Sequence, residues 1–215
     1  MKILNKKNIL KSMGILGIYL IVSFLINRNI FDSYIQLNLV IIGINIILAV
    51  SLNLITGFTG QFSLGHAAFM AIGAYASGVM TAKLGQPFII GILMAGIMAS
   101  IAGVLIGIPT LRLRGDYLAI ATLGFGEIVK ILAINNDYIG GAVGLNDIPQ
   151  YTNWTWLYFS VVTTIVVISN FVKSHNGRAC MSIREDEIAA EAMGVNTTYY
   201  KILVFTIGAF FAGIA

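Results

Sequence analysis

Ionisable side chains are scarce in this sequence. Of 215 residues, 13 are Lys or Arg and 9 are Asp or Glu, 10% in all. A soluble domain carries about 25%. With 58% of residues hydrophobic and a mean hydropathy of +0.88, the shortage excludes an ordinary soluble domain. It points to an all-α fold, a polytopic bundle of transmembrane helices. The pI near 9.2 does not mark a nucleic-acid binder, because the cations lie between apolar runs rather than in one patch. Cysteine is nearly missing: Cys180 stands alone, which excludes an intrachain disulfide. Histidine is as rare. His66 and His175 are far apart without clustered partners, so no metal site is expected. There is no nucleophile–base pair, no pair of catalytic carboxylates and no Gly-x-x-x-x-Gly-Lys-Ser/Thr phosphate loop. No catalytic or cofactor-binding residue is assigned, and the chain is not expected to be an enzyme or to hydrolyse ATP by itself.

What is plentiful is apolar length. A helix needs about 20 apolar residues to span a membrane. Seven runs are candidates: 9–26, 34–55, 62–82, 87–110, 117–134, 154–172 and 202–215. The first follows a segment with four lysines, as a signal peptide would, but no small-x-small cleavage site follows Ile26, so it is read as an uncleaved span. The seventh ends without a polar flank, so the membrane domain is expected to continue beyond it. With the N-terminus in the cytoplasm and alternating spans, Lys2, Lys6, Lys7, Lys11, Arg112, Arg114, Lys173, Arg178, Arg184 and Lys201 are all cytoplasmic. Arg28 and Lys83 fall outside, and Lys130 falls within a span. The 135–153 loop has Asp137 and Asp147 but no cation, as an outer loop would. Tyr151, Trp154, Trp156 and Tyr158 are expected to form an outer aromatic belt, and Tyr117, Tyr199 and Tyr200 an inner one. Ala95, Ala99, Gly103 and Gly107 recur at four-residue spacing, a stripe that lets another helix approach closely. Gly65, Gly73 and Ser77 repeat the theme in the third span.

Residues 173–201 form the longest polar segment. They hold four acids (Glu185, Asp186, Glu187, Glu191) and four cations (Lys173, Arg178, Arg184, Lys201). Ser182 followed by Glu185 matches a capping box, and Gly194 a helix stop, so one helix is expected between them. On it Ile188, Ala189, Ala192 and Met193 share a side while Asp186 and Glu187 point elsewhere. Such a helix lies on the membrane surface, covers the ends of the spans, or docks into another protein.

Two further features carry potential chemistry. Thr56, Gly57, Thr59, Gly60, Gln61, Ser63, Gly65 and His66 crowd glycine and polar residues at the edge of a span. Such a stretch is either a broken helix lining a cavity, whose free N–H groups suit anionic substrate groups, or a plain turn. His66 is expected to be packed or interfacial, with a ligand or pH-sensing role as the alternative. Glu127 is the one acid deep in a span, and Lys130 lies a turn further on the same face. The two can pair, either on a transport path or gate or as a register-setting ion pair. From residues alone, a self-sufficient secondary transporter or channel with this pair as relay, and a purely structural subunit, remain open beside an importer subunit.

Four stretches resemble one family. NLITGFTGQFSLGHAAFMAIGAYASG at 53–78, PTLRLRGDYLAIATLGFG at 109–126 followed by Glu127, GGAVGLNDIP at 140–149 and GRACMSIREDEIAAEAMG at 177–194 are similar to the permeases of branched-chain amino acid ABC importers, and most to their M-type subunit. The resemblance covers about residue 35 to the end. It implies a single permease domain over 1–215 with a cytoplasmic coupling loop at 173–201, in a bacterial cytoplasmic membrane. It also implies a related H-type permease partner, two cytoplasmic ATPase subunits that bind ATP and Mg, an extracytoplasmic substrate-binding protein, and an amino acid substrate. The coupling segment becomes 178–196, with Arg178, Arg184, Glu187, Ile188, Ala189, Ala192, Met193 and Gly194 as candidate ATPase contacts. Ala189, Ala190 and Gly194 fit the spacing of the importer consensus, in which Glu-Ala-Ala precedes a Gly; Ile188 stands where its Glu would be. Thr56, Gly57, Gly60, Gln61, Ser63, His66, Glu127 and Lys130 are the candidate path or gating residues. Permeases of urea and short-chain-amide importers are very similar, so the resemblance leaves those substrates open.

The charge bias gives a topology that can be measured. Reporter fusions after Arg114 and after Ser174 are expected to signal cytoplasm, and one after Gly141 the outer side. An outer signal at Ser174 would refute the orientation.

Overall fold

The computed structural model describes residues 6–28, 30–110, 113 and 115–215, with side chains from residue 14 onward. Lys2, Arg112 and Arg114 lie outside the described residues, as do the side chains of Lys6, Lys7 and Lys11. Among the described residues the chain is helical, with no strand. The helices are α1 (Lys6–Asn27), α2 (Ser33–Thr59), α3 (His66–Gly78), α4 (Phe88–Thr110), α5 (Asp116–Ile134), α6 (Trp154–Lys173), α7 (His175–Glu185), α8 (Glu187–Ala192) and α9 (Thr197–Ile214). A π turn, Val79–Lys83, continues α3, and 3-10 turns at Asp137–Ile139 and Gly141–Val143 occupy the α5–α6 connection.

Among the described residues five helices are long and apolar enough to cross a membrane: α2, α4, α5, α6 and α9. The first expected span is helical over Lys6–Asn27, with side chains described from Gly14. The third run becomes helical only at His66, because Gly60 takes a left-handed φ of 71° that ends α2, and residues 60–65 stay non-helical. The seventh starts earlier than expected, at Thr197. Asn196 caps it, its side-chain oxygen accepting the Tyr199 N–H at 3.0 Å.

At the centre stands α9. Half of its most apolar stretch is buried, against 17–28% in the other four spans. α4 lies along it, and α2, α3 and α7 also pack on it. The core joins Ile47, Leu54 and Ile55 of α2, Phe69 of α3 and Ala99 of α4 to Val204, Phe205, Ala209 and Ala212 of α9. Phe69 meets Phe205 edge to face, centroids 5.5 Å apart.

The α4 stripe and Gly73 of α3 face this centre, whereas Gly65 meets Thr122 of α5. Ala95, Ala99, Gly103 and Gly107 are all buried. A Cβ added to Gly103 would lie 2.8 Å from the Ala209 Cβ, and one on Gly213 would lie 2.5 Å from the Ala99 Cβ. On α3, a Cβ on Gly73 would come within 2.3 Å of the Gly213 carbonyl oxygen. Lipid tails are as apolar as leucine, so burial alone gives little reason for helices to associate; the backbone contact these residues allow does.

The helix directions sort the charges by end. Tyr19 OH meets Thr155 Oγ1 at 3.2 Å and Tyr158 OH donates to the Ile15 carbonyl, so α1 and α6 are antiparallel. Lys173, Arg178, Arg184 and Lys201 gather at the end where α2 and α6 finish and α7 and α8 sit. Arg28 follows the far end of α1, and Lys83 reaches the Tyr138 carbonyl at the far end of α5. The expected aromatic group forms at the start of α6: Phe88 lies 5.8 Å from Tyr151 and 5.5 Å from Trp156, and Trp154 lies 5.4 Å from Tyr158.

Gly103→Leu is expected to push α4 off α9 and to destabilise the bundle by about 1–3 kcal/mol, the usual cost of overpacking. Thermal unfolding in detergent checks this; an unchanged midpoint would mean the two helices do not depend on that contact.

Candidate functional site

Two short helices cover the end of the bundle. Ser174 opens α7, its Oγ accepting the Gly177 N–H at 3.3 Å. Gly177 is needed for the tight turn out of α6, because a Cβ there would lie 2.2 Å from the Val172 carbonyl oxygen. Ala179, Cys180 and Ile183 of α7 are buried. Burial pushes the Cys180 thiol up to about 11, so it stays neutral and serves as packing.

The expected capping box is not formed. Ser182 lies inside α7 and its hydroxyl donates to the Ala179 carbonyl at 2.8 Å. The second helix starts instead at Asp186, whose Oδ1 accepts the N–H groups of Ile188 at 2.9 Å and Ala189 at 3.0 Å. A carboxylate that satisfies two free amides makes the stronger cap. The one helix expected from Ser182 to the Gly194 stop is therefore two, joined at an extended Asp186. Gly194 does end α8, with φ 85° and the Val195 N–H bonded to the Ala190 carbonyl at 3.0 Å.

α8 has two unlike sides. Ala190 is buried, while Ala189 and Ala192 are exposed, as are Ile188 at 67% and Met193 at 85%. Glu187, expected to point away, instead meets Lys201 Nζ of α9 at 2.6 Å, with only 9% of the Lys201 side chain and 25% of Glu187 exposed. Arg184 turns toward α2: its Nη1 donates to the Gly57 carbonyl at 2.9 Å, and its Nη2 pairs with Glu185 at 2.5 Å. Arg178 is exposed and its Nη1 donates to the Lys173 carbonyl at 3.4 Å.

The segment between α2 and α3, residues 60–65, is non-helical. Gln61, Ser63 and Gly65 are buried while Gly60, Phe62 and Leu64 are exposed, the two-residue alternation of a strand. His66, at its end, lies 2.9 Å from Ser51 Oγ. Ser51 stands two helical turns before the last residue of α2, about 12 Å along the axis. The chain therefore runs back beside α2 before α3 begins, and α3 starts within the bundle. Leu64 N–H donates to Thr122 Oγ1 at 3.0 Å, and a Cβ on Gly65 would meet the Thr122 carbonyl oxygen at 2.3 Å, so α5 holds the segment. Gln61 Nε2 reaches the Lys201 carbonyl at 3.4 Å. Gln61 Oε1, Ser63 Oγ and His66 Nδ1 are buried with no protein partner among the described residues. Thr56 Oγ1 donates to the Leu52 carbonyl within α2 at 3.0 Å.

Glu127 and Lys130 do pair, at 3.3 Å, and both are more than half exposed in this chain. They border a groove of about 410 Å³ between α3 and α5 floored by Gly65, Ala68, Ala71 and Gly126. The structure thus brings Glu127 and Lys130 to one outward face, and turns Gln61, Ser63 and His66 inward, away from it. Sequence reading missed Lys201, Ser51 and Thr122 as partners. No spacing rule links Glu187 to Lys201 or Ser51 to His66 across a break in the helix.

Residues 34–215 match a family model described as branched-chain amino acid transport system / permease component. The chain is 40% identical to the high-affinity branched-chain amino acid transport system permease protein LivM of Escherichia coli, over 80% of this chain and 49% of that protein. The Salmonella typhimurium protein of the same name is 39% identical with the same coverage. A probable branched-chain amino acid transport permease protein LivM of Methanocaldococcus jannaschii is 27% identical over 80% of this chain and 63% of that protein. The chain thus spans about half the length of the bacterial relatives it matches. No solved structure matches. Motifs, helical architecture and the match over residues 34–215 agree: the chain belongs to the family of branched-chain amino acid transport system permease components.

Proposed function

We propose that this chain works as the M-type membrane subunit of an ATP-driven importer that moves branched-chain amino acids into the cell. The observation that carries the reading is the outer side of α8, where Ile188, Ala189, Ala192 and Met193 are exposed beside a capped, bundle-anchored helix pair. Apolar anchors at three- and four-residue spacing suit a groove on another protein. Residues 178–196 form the coupling segment, and a cytoplasmic ATPase subunit is its partner. ATP and Mg are bound, and ATP is hydrolysed, on those ATPases, and this chain is a transport subunit. The positively charged end of the bundle and the N-terminus then face the cytoplasm. A second, H-type permease and an extracytoplasmic substrate-binding protein complete the assembly.

The groove with Glu127 and Lys130 supports a covered face. An ion pair at membrane depth is costly against lipid, and backbone-close grooves admit helices. The H-type permease lies against it, which places Glu127, Lys130 and the nearby start of α3 beside a path between the two permeases.

Two experiments follow. In the assembled importer, Ala192→Arg is expected to abolish stimulation of ATP hydrolysis by the substrate-loaded binding protein, while Ala192→Ser keeps it. Intact stimulation and leucine uptake in Ala192→Arg would place the ATPase contact elsewhere, and uptake by this chain alone on an ion gradient would overturn the importer reading. Asp186 is no neutral control, because it caps α8. Second, Glu127→Gln alone should lower uptake more than Glu127→Gln with Lys130→Met, because the single change strands a cation in the membrane. Additive losses would rule out a working pair.

A further inference from the structure

The coupling helices touch more than the helices they are joined to in sequence. α6 and α9 flank them covalently and would move with them in any case. α2 and the non-helical segment before α3 have no such link, yet three contacts tie them to the same point. Arg184 Nη1 of α7 donates to the Gly57 carbonyl at 2.9 Å. Gly60 packs on Arg184, where an added Cβ would lie 3.0 Å from its Cγ. Gln61 Nε2 reaches the Lys201 carbonyl at 3.4 Å, while Lys201 Nζ holds Glu187 of α8 at 2.6 Å.

We propose that Lys201, with Arg184 and Gln61, forms a latch that passes movement of α7 and α8 to residues 57–66 and so to the start of α3. α8 has six residues, too few to hold a position by itself. The Lys201–Glu187 pair is mostly buried, where such a bond is both short and weakly screened. It fixes α8 to α9, and the Lys201 carbonyl fixes the same turn of α9 to Gln61. The far end of the segment bears on α5 through Leu64 and Thr122, beside the groove that holds Glu127 and Lys130. A shift of α8 thus has a connected route to that groove that bypasses α6. Lys201, Arg184 and Gln61 act here as positioning residues. The inference rests on the reading of α7 and α8 as the ATPase contact.

Hydrogen exchange on the complete importer, with and without a non-hydrolysable ATP analogue, tests it. In the wild type, the nucleotide is expected to change exchange both in 186–194 and at the amides of Gln61 and Leu64, which bond to the Ile55 carbonyl and to Thr122. In Lys201→Met, 186–194 should still respond while 57–66 responds less, the Arg184–Gly57 bond being its remaining side-chain link to α7. Amino acid moved per ATP hydrolysed should then fall about fivefold or more, the low end of a typical coupling. The exchanged pair Glu187→Lys with Lys201→Glu should recover most of it. If 186–194 responds in the wild type and 57–66 does not, or if Lys201→Met leaves the response of 57–66 intact, the latch is wrong. If the wild type shows no response at 186–194, the coupling reading itself fails. The wild-type comparison stands even where a variant does not fold.

Discussion

The approach of α4 to α9 at backbone distance is the contact on which the rest of the bundle depends. Ala95, Ala99 and Gly103 meet Ala209 and Gly213 so closely that a methyl group has no room. Packing at that range sums many weak attractions that lipid does not reproduce. It fixes α9 in the middle, and α9 in turn gives Phe205 to Phe69 of α3 and Lys201 to Glu187 of α8. The membrane part and the cap over its end thus share one helix.

Much of this was legible in the sequence. Apolar length located the spans, four-residue spacing of Ala and Gly located the tight helix contact, and clustered aromatics marked one end of the bundle. These signals are local and are repeated along each element. The helix boundaries at the polar end were less legible. Ser182 and Glu185 satisfy a capping pattern that a helix interior satisfies equally well, since the serine can bond back to Ala179. Asp186 won because its carboxylate serves two amides. The third run was read from 62, but the left-handed Gly60 ends α2 and residues 60–65 are non-helical, with buried and exposed residues alternating. Tertiary contacts with Ser51, Thr122, Arg184 and Lys201 hold that segment in place.

Two of the ion pairs are instructive together. Glu127 and Lys130 lie three residues apart on one helix, so spacing alone finds them. Glu187 and Lys201 lie on different helices, and their meeting depends on how α8 folds back. The legible pair is exposed in this chain, and the illegible one is buried. Local pairs form in the isolated helix and are found by pattern; long-range pairs form only with the fold.

The central position of α9 also bears on how the protein is made. α2, α3 and α4 precede it in the chain and would enter the membrane first. Until α9 arrives, Gly73, Ala99 and Gly103 have lipid where their closest neighbours will be. α3 and α4 can already pack on each other, but the closest contacts of the bundle wait for α9. The order of synthesis and the order of packing therefore differ: the helix on which α2, α3 and α4 pack is made after them.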